Sequence, residues 1–145
     1  MKTKLLIVAL LISITSFSQV NFGMTGGLTN FVPLATISVG YKFQPEESKL
    51  SYDLQYDMRS YASRSVNYPA YFGIRGMVSY PLNHISSVSF ASGPYYKLAS
   101  TDRKYLNGWK YGYGFKYTRK IFTAELYKID KKLQISAGFY YCFEK

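Results

Sequence analysis

The sequence predicts an all-β fold: a closed, eight-stranded, antiparallel up-and-down transmembrane β-barrel. Three observations carry this. Beyond residue 19, large apolar or aromatic residues alternate with polar or small ones at period two, the pattern of strands with two unlike faces. Most alternating stretches run 9 to 13 residues, longer than the roughly 5–6 of soluble strands and near the roughly 9–11 needed to cross a bilayer. The polar side of the alternation is made largely of glycine and serine, which suit a crowded barrel axis better than a watery surface.

The segments follow one another with turn chemistry between them. The first two are expected at 20–28 and 34–43, and Gln44-Pro45-Glu46-Glu47-Ser48 ends the second. The third, 49–61, is the clearest: Leu50, Tyr52, Leu54, Tyr56 and Met58 alternate with Ser51, Asp53, Gln55, Asp57 and Arg59. A helix would scramble such a pattern, because neighbours on its face lie three and four residues apart. The fourth, 70–80, follows a longer connection (62–69) and ends at Pro81-Leu82-Asn83-His84. The fifth, 85–98, contains Pro94, for which a bulge is the expected accommodation. After a second long connection (99–106), the sixth, 107–117, sets Trp109, Tyr111, Tyr113, Phe115 and Tyr117 against Gly108, Lys110, Gly112, Gly114 and Lys116. The seventh, 121–129, and eighth, 133–143, are joined by Asp130-Lys131-Lys132, and the eighth alternates from Leu133 to Phe143.

Composition narrows the class. The chain has 145 residues, 48% hydrophobic and 19% aromatic, so one domain follows and an acidic or basic disordered tail does not. One cysteine and one histidine exclude an internal disulfide and make a Cys/His metal site an unsuitable reading. Residues 1–18 read as an export signal, with Lys2 and Lys4 before a ten-residue apolar stretch too short for a transmembrane helix and small residues before a cleavage point after Ser18. Its removal would take two lysines from the formal charge of +10 and leave +8 on a 19–145 barrel domain. For an exported chain without long Lys/Arg runs, that excess points to anionic membrane surfaces and away from nucleic acid.

Alternation alone does not say which face is inside. The glycine and serine face includes Gly23, Gly27, Ser87, Ser89, Gly93, Gly112, Gly114, Ser136 and Gly138. The five large residues from Trp109 to Tyr117 would be an aggregation hazard in water and are suited to lipid. Tyr41, Tyr61, Tyr68, Tyr71, Tyr80, Tyr105 and Tyr117 fall toward segment ends, as aromatic girdles would require. In hydrocarbon an open sheet edge leaves backbone groups unpaired, so the sheet must close. With an even strand count the first strand begins, and the last ends, on one side. That side is expected to be periplasmic, because the two longest connections then face outward.

The chain resembles the small eight-stranded outer-membrane β-barrels, the OmpA/OmpX-like, porin-family class, over residues 20–145. The residues carrying the likeness are the export signal, the eight alternating segments and the aromatic ending Phe139-Tyr140-Tyr141-Cys142-Phe143. That ending is similar to the signal read by the barrel-assembly machinery, although Glu144 and Lys145 follow the last aromatic. The resemblance implies an outer-membrane location, contact with outer-membrane lipid and lipopolysaccharide, and assembly by that machinery.

An eight-stranded barrel is filled by its side chains. By register the lumen should hold Lys42, Asp53, Asp57, Arg59, Arg75, Lys97, Lys110, Lys116, Glu125 and Glu144, either as a polar network of mutually compensated charges or as a small ion path or ligand site. Asp53 and Asp57 lie on the hairpin partner of Arg75, so a central Asp–Arg cluster is expected. Arg59, Arg64, Arg103, Lys104, Lys131 and Lys132 near the outer connections could meet lipopolysaccharide phosphates. His84 is the histidine any His-based enzyme must use, and the resembling class includes lipid A-modifying enzymes that combine His with Ser. Ser86, Ser87 and Ser89 are near, but His84 is expected in a periplasmic turn, away from the outer leaflet. Cys142 should face the lumen as an inert thiol. No catalytic residue, metal or cofactor is expected. The reading is a non-enzymatic envelope-structural or surface-interaction barrel. A soluble, lipocalin-like periplasmic barrel for an apolar ligand and a lipid A-modifying enzyme are the alternatives.

Overall fold

The computed structural model describes residues 18–29, 31–45, 47–61, 70–98 and 107–143. Eight strands occupy almost all of them: β1 (Ser18–Thr29), β2 (Val32–Phe43), β3 (Ser51–Tyr61), β4 (Ala70–Asn83), β5 (Ser86–Leu98), β6 (Gly108–Arg119), β7 (Phe122–Ile129) and β8 (Lys132–Phe143). Each pairs antiparallel with the next, and β1 pairs with β8, closing the barrel in sequence order. The export signal, most of it within residues 1–17, and the connections at 62–69 and 99–106 lie outside the described residues.

The period-two pattern becomes the inside and outside of the wall. Along β3 every odd residue from Ser51 to Tyr61 is buried and every even one exposed. Leu54 is 59% exposed and Phe115 58%, whereas Asp57 and Arg59 are 0% exposed. The apolar set therefore faces out and the polar set faces the axis, which is the inverse of a soluble barrel enclosing an apolar ligand. Closure leaves no strand edge to solvate, so an apolar wall of this extent is compatible with hydrocarbon.

Two expectations about the wall are corrected. Pro94 produces no bulge: Gly73↔Tyr95 and Gly76↔Ser92 on either side of it keep one register. The ring removes an N–H without inserting a residue, and Pro94 itself faces outward. The irregularity lies instead between Pro81 and Asn83, so β4 runs on to Asn83 past the expected stop at Tyr80. Tyr61 and Tyr71 are not girdle residues; both are buried and meet edge-to-face inside the barrel, 6.0 Å apart. Strand parity, not nearness to a strand end, sets the side on which a tyrosine falls. Tyr41, Tyr80 and Tyr117 do lie on the outer wall, and Tyr68 and Tyr105 fall outside the described residues.

The β7–β8 turn uses Asp130 and Lys131 at φ 50° and 67°. Two positive φ values in a two-residue loop match the twist of the flanking strands. Inside, the glycines make room. A side chain at Gly114 would press on the Leu126 carbonyl and the Tyr127 ring, whereas one at Gly76, on the outer wall, would meet nothing within 4 Å. Gly114→Val is thus expected to destabilise the barrel by about 1–3 kcal/mol through overpacking. Gly76→Val should stay within about 0.5 kcal/mol of the parent. Urea unfolding of the two variants in lipid vesicles checks the contrast.

Candidate functional site

The middle of the lumen is closed by two arginines and two carboxylates. β3 supplies Asp57 and Arg59, β4 supplies Arg75, and β7 supplies Glu125. Glu125 bridges the arginines: Arg59 Nη2 donates to Oε1 and Arg75 Nη1 to Oε2, each at 2.6 Å. Asp57 Oδ2 takes Arg59 at 3.0 Å, Arg75 at 3.1 Å and the Tyr95 hydroxyl at 2.8 Å. All four ionic side chains are 2% exposed or less. Their charges cancel, which is what makes such burial tolerable, since an unpaired ion there would cost several kcal/mol. Two amides extend the set: Gln55 accepts from Arg75 at 3.1 Å and Gln134 from Arg59 at 2.8 Å. The Tyr127 ring stacks under the Arg59 guanidinium, 4.2 Å from its centroid.

Toward the mouth where β1 begins and β8 ends, here the terminal mouth, the network continues through neutral donors. Gln55 donates to Asn21 and Asn21 to Asp53, at 3.0 and 2.9 Å. Asp53 also accepts from the Tyr140 hydroxyl at 2.8 Å and from Ser79 at 3.5 Å. The expected Asp–Arg cluster therefore forms with Asp57 and Glu125, while Asp53 stands apart on uncharged partners. Lys116, 3% exposed, places its amine 3.5 Å from the Tyr140 ring centroid. Below this lies an open cavity of about 370 Å³, lined in part by Lys42, His84, Ser87, Thr118, Lys120 and Cys142. The Cys142 thiol donates to Gln19 Oε1 at 3.1 Å. His84 is exposed in the Asn83–Ser86 turn. Glu144 lies outside the described residues.

At the opposite, distal mouth, Asp130 gathers Lys97 at 3.0 Å and Lys110 at 3.3 Å, with the Tyr71 hydroxyl at 3.4 Å. Lys97 and Lys110 thus belong to this rim cluster and not to the central quartet. Partial burial pushes the Asp130 carboxyl up, but the hydrogen bonds and charges of Lys97 and Lys110 outweigh it and hold the group below its ordinary value. A carboxyl depressed in the folded state stabilises fully above the ordinary range near about pH 4 and loses that contribution as pH falls through the folded value. The parent should therefore lose thermal stability on acidification from about pH 5 to about pH 3 more than Asp130→Asn does, read from melting midpoints of the two proteins.

Of the basic residues expected to meet lipopolysaccharide, Lys131 is exposed at the β7–β8 turn, and Lys132 leans over Tyr61, 5.6 Å from its ring centroid. Arg64, Arg103 and Lys104 lie outside the described residues. Arg59 is not a rim residue at all, being buried in the quartet. The residues that sequence reasoning missed are neutral: Asn21, Gln55, Gln134, Tyr95, Tyr127 and Tyr140. Strand parity puts Gln55, Gln134 and Tyr140 on the polar face, but nothing in the sequence marks any of the six as a hydrogen-bonding or stacking partner of the ions. Among the described residues no His/Cys/Asp/Glu group could hold a metal ion.

No family model and no curated protein matches the sequence. Among solved structures, the chain is similar to a de novo designed transmembrane β-barrel, at 15% identity and a TM-score of 0.53, over 86% of this chain and 95% of that one. It also aligns with Ail, the attachment invasion locus protein of Yersinia pestis, at 12% identity and a TM-score of 0.45, over 86% and 97% of the two chains. Taken with the closed register and the outward apolar wall, the first likeness gives the chain the fold of an eight-stranded transmembrane β-barrel.

Proposed function

We propose that the chain is an integral outer-membrane β-barrel with a non-enzymatic, envelope-structural or surface-interaction role. In this reading residues 1–18 direct export, and the barrel-assembly machinery inserts the 19–145 domain. The wall contacts outer-membrane lipid, and distal basic residues meet lipopolysaccharide phosphates. The observation that carries it is the charge-balanced, ion-paired Asp57–Arg59–Arg75–Glu125 quartet buried in the lumen: a barrel whose axis is filled by its own ions works through its wall and rims. In this reading His84, exposed in the turn between Asn83 and Ser86, is a solvated turn histidine. The test is fractionation of cells producing the chain. The protein should sediment with the outer membrane, resist salt extraction and migrate faster on gels before boiling than after. Lipid A mass spectra should be the same with and without it. Recovery as a salt-extractable soluble protein, or an altered lipid A, counts against the reading.

A further inference from the structure

The cavity of about 370 Å³ at the terminal mouth is lined by Lys42, Lys120 and His84, by the hydroxyls of Ser86, Ser87 and Thr118, and, among the described residues, by no carboxylate. Four of its lining residues (Lys42, Ser87, Thr118 and Tyr140) also line a second, inner cavity of about 20 Å³ that leads to Lys116. Lys116 is almost wholly buried, yet none of the barrel's ion pairs within 4 Å among the described residues includes it. The acidic residue that lines the inner cavity with it, Asp53, is already hydrogen-bonded by Asn21, Tyr140 and Ser79. Lys42 sits directly across the β2–β3 ladder from Asp53, and among the described residues no ion pair within 4 Å includes it. Lys116 faces Glu125 directly across the β6–β7 ladder, but the two oxygens of that carboxylate already take Arg59 and Arg75 at 2.6 Å.

We infer that the terminal mouth is a binding site for a phosphate group, held between Lys42 and Lys120 at the opening. The donor set fits that chemistry. A phosphate offers several strong acceptor oxygens, which a cluster of ammonium and hydroxyl donors without competing carboxylates can satisfy together. The volume of the outer cavity lies within the range of about 300–1,000 Å³ used for small ligands, while the inner one, about the size for a single water, is too small to admit the group itself. The phosphate must therefore stay at the opening. It can come from a free phosphate or phosphomonoester in the compartment the mouth faces, or from the headgroup of a phospholipid beside the rim.

The barrel refolded in non-ionic detergent and titrated with inorganic phosphate by calorimetry tests this. Saturable binding is expected, weakened about tenfold or more in a Lys42→Gln/Lys120→Gln double variant. Lys97→Gln/Lys110→Gln, which removes the same number of lysines from the distal mouth, should bind as the parent does. Lys42 is only partly buried and Lys120 is exposed, so the double variant should still show heat-modifiable migration, which reports a closed barrel. A flat phosphate titration of the parent, or equal affinity in the Lys42/Lys120 variant, would overturn the proposal. Nanodiscs separate the two sources. If a headgroup is the occupant, phosphatidylcholine, which has a headgroup phosphate but no net charge, weakens phosphate binding relative to the non-ionic detergent. If a soluble phosphate is the occupant, the affinity is the same in both.

Discussion

Glu125→Gln is expected to lower the unfolding free energy of the barrel by about 3–5 kcal/mol, the size of effect seen when one partner of a buried ionic cluster is removed. The substitution preserves shape and changes the charge count. Arg59 and Arg75 would then face Asp57 as their one remaining carboxylate, at 3.0 and 3.1 Å, leaving one buried positive charge without compensation. Asp57 is poorly placed to absorb the difference, because it meets both arginines and Tyr95 through Oδ2 alone. The same reasoning fixes the sign of a second step. Arg75→Met in the Glu125→Gln background restores neutrality, with Arg59 paired to Asp57. The double variant should be less destabilised than the sum of its two single variants. Urea unfolding in phospholipid vesicles, followed by migration on unheated gels, gives the required cycle. Strict additivity would mean that the four groups do not act as one electrostatic unit.

What the sequence reveals about this barrel depends on the range of the interaction. Inside-or-outside is a property of one strand, so the alternation from Leu50 to Arg59 was enough to place Asp53, Asp57 and Arg59 on the axis. Which ions meet is a property of the whole circumference. Hairpin neighbours suggested Asp53 and Asp57 with Arg75; Asp57 does pair with it, Asp53 does not, and the stagger of the closed sheet brings Glu125 of β7 level with Arg59 of β3 and Arg75 of β4. No local pattern encodes that stagger. Pro94 shows the converse error: a proline inside a strand implies a bulge only if its missing N–H disturbs the register, and here the ladder continues on both sides. Tyr61 and Tyr71 were assigned by their distance from a strand end, where parity was the better guide. The cavity at the terminal mouth was not legible at all, since it arises where two turns meet the strand ends of β2, β4, β5, β6 and β8.

Tyr56→Arg should cost about 2–4 kcal/mol in a bilayer, and Phe43→Arg about 0–1 kcal/mol. Both side chains lie on the outer wall, 52% and 38% exposed, so neither substitution opens a cavity in a core. Tyr56 is the middle residue of β3, whereas Phe43 ends β2 at the terminal mouth. A guanidinium at Tyr56 would lie at mid-membrane depth, while one at Phe43 can reach headgroups and water. In a soluble barrel both positions would be ordinary surface sites, where substitutions seldom exceed about 0.5 kcal/mol. The difference between the two variants, measured as folding free energies in lipid vesicles, is therefore a direct reading of the medium around the wall. It does not depend on the lumen network, because even-numbered residues of β3 face away from it. A steep gradient with depth requires hydrocarbon outside. Equal, small effects at both positions would place the same wall in water, and the outward Leu54, Phe115 and Trp109 would then need a protein partner to cover them.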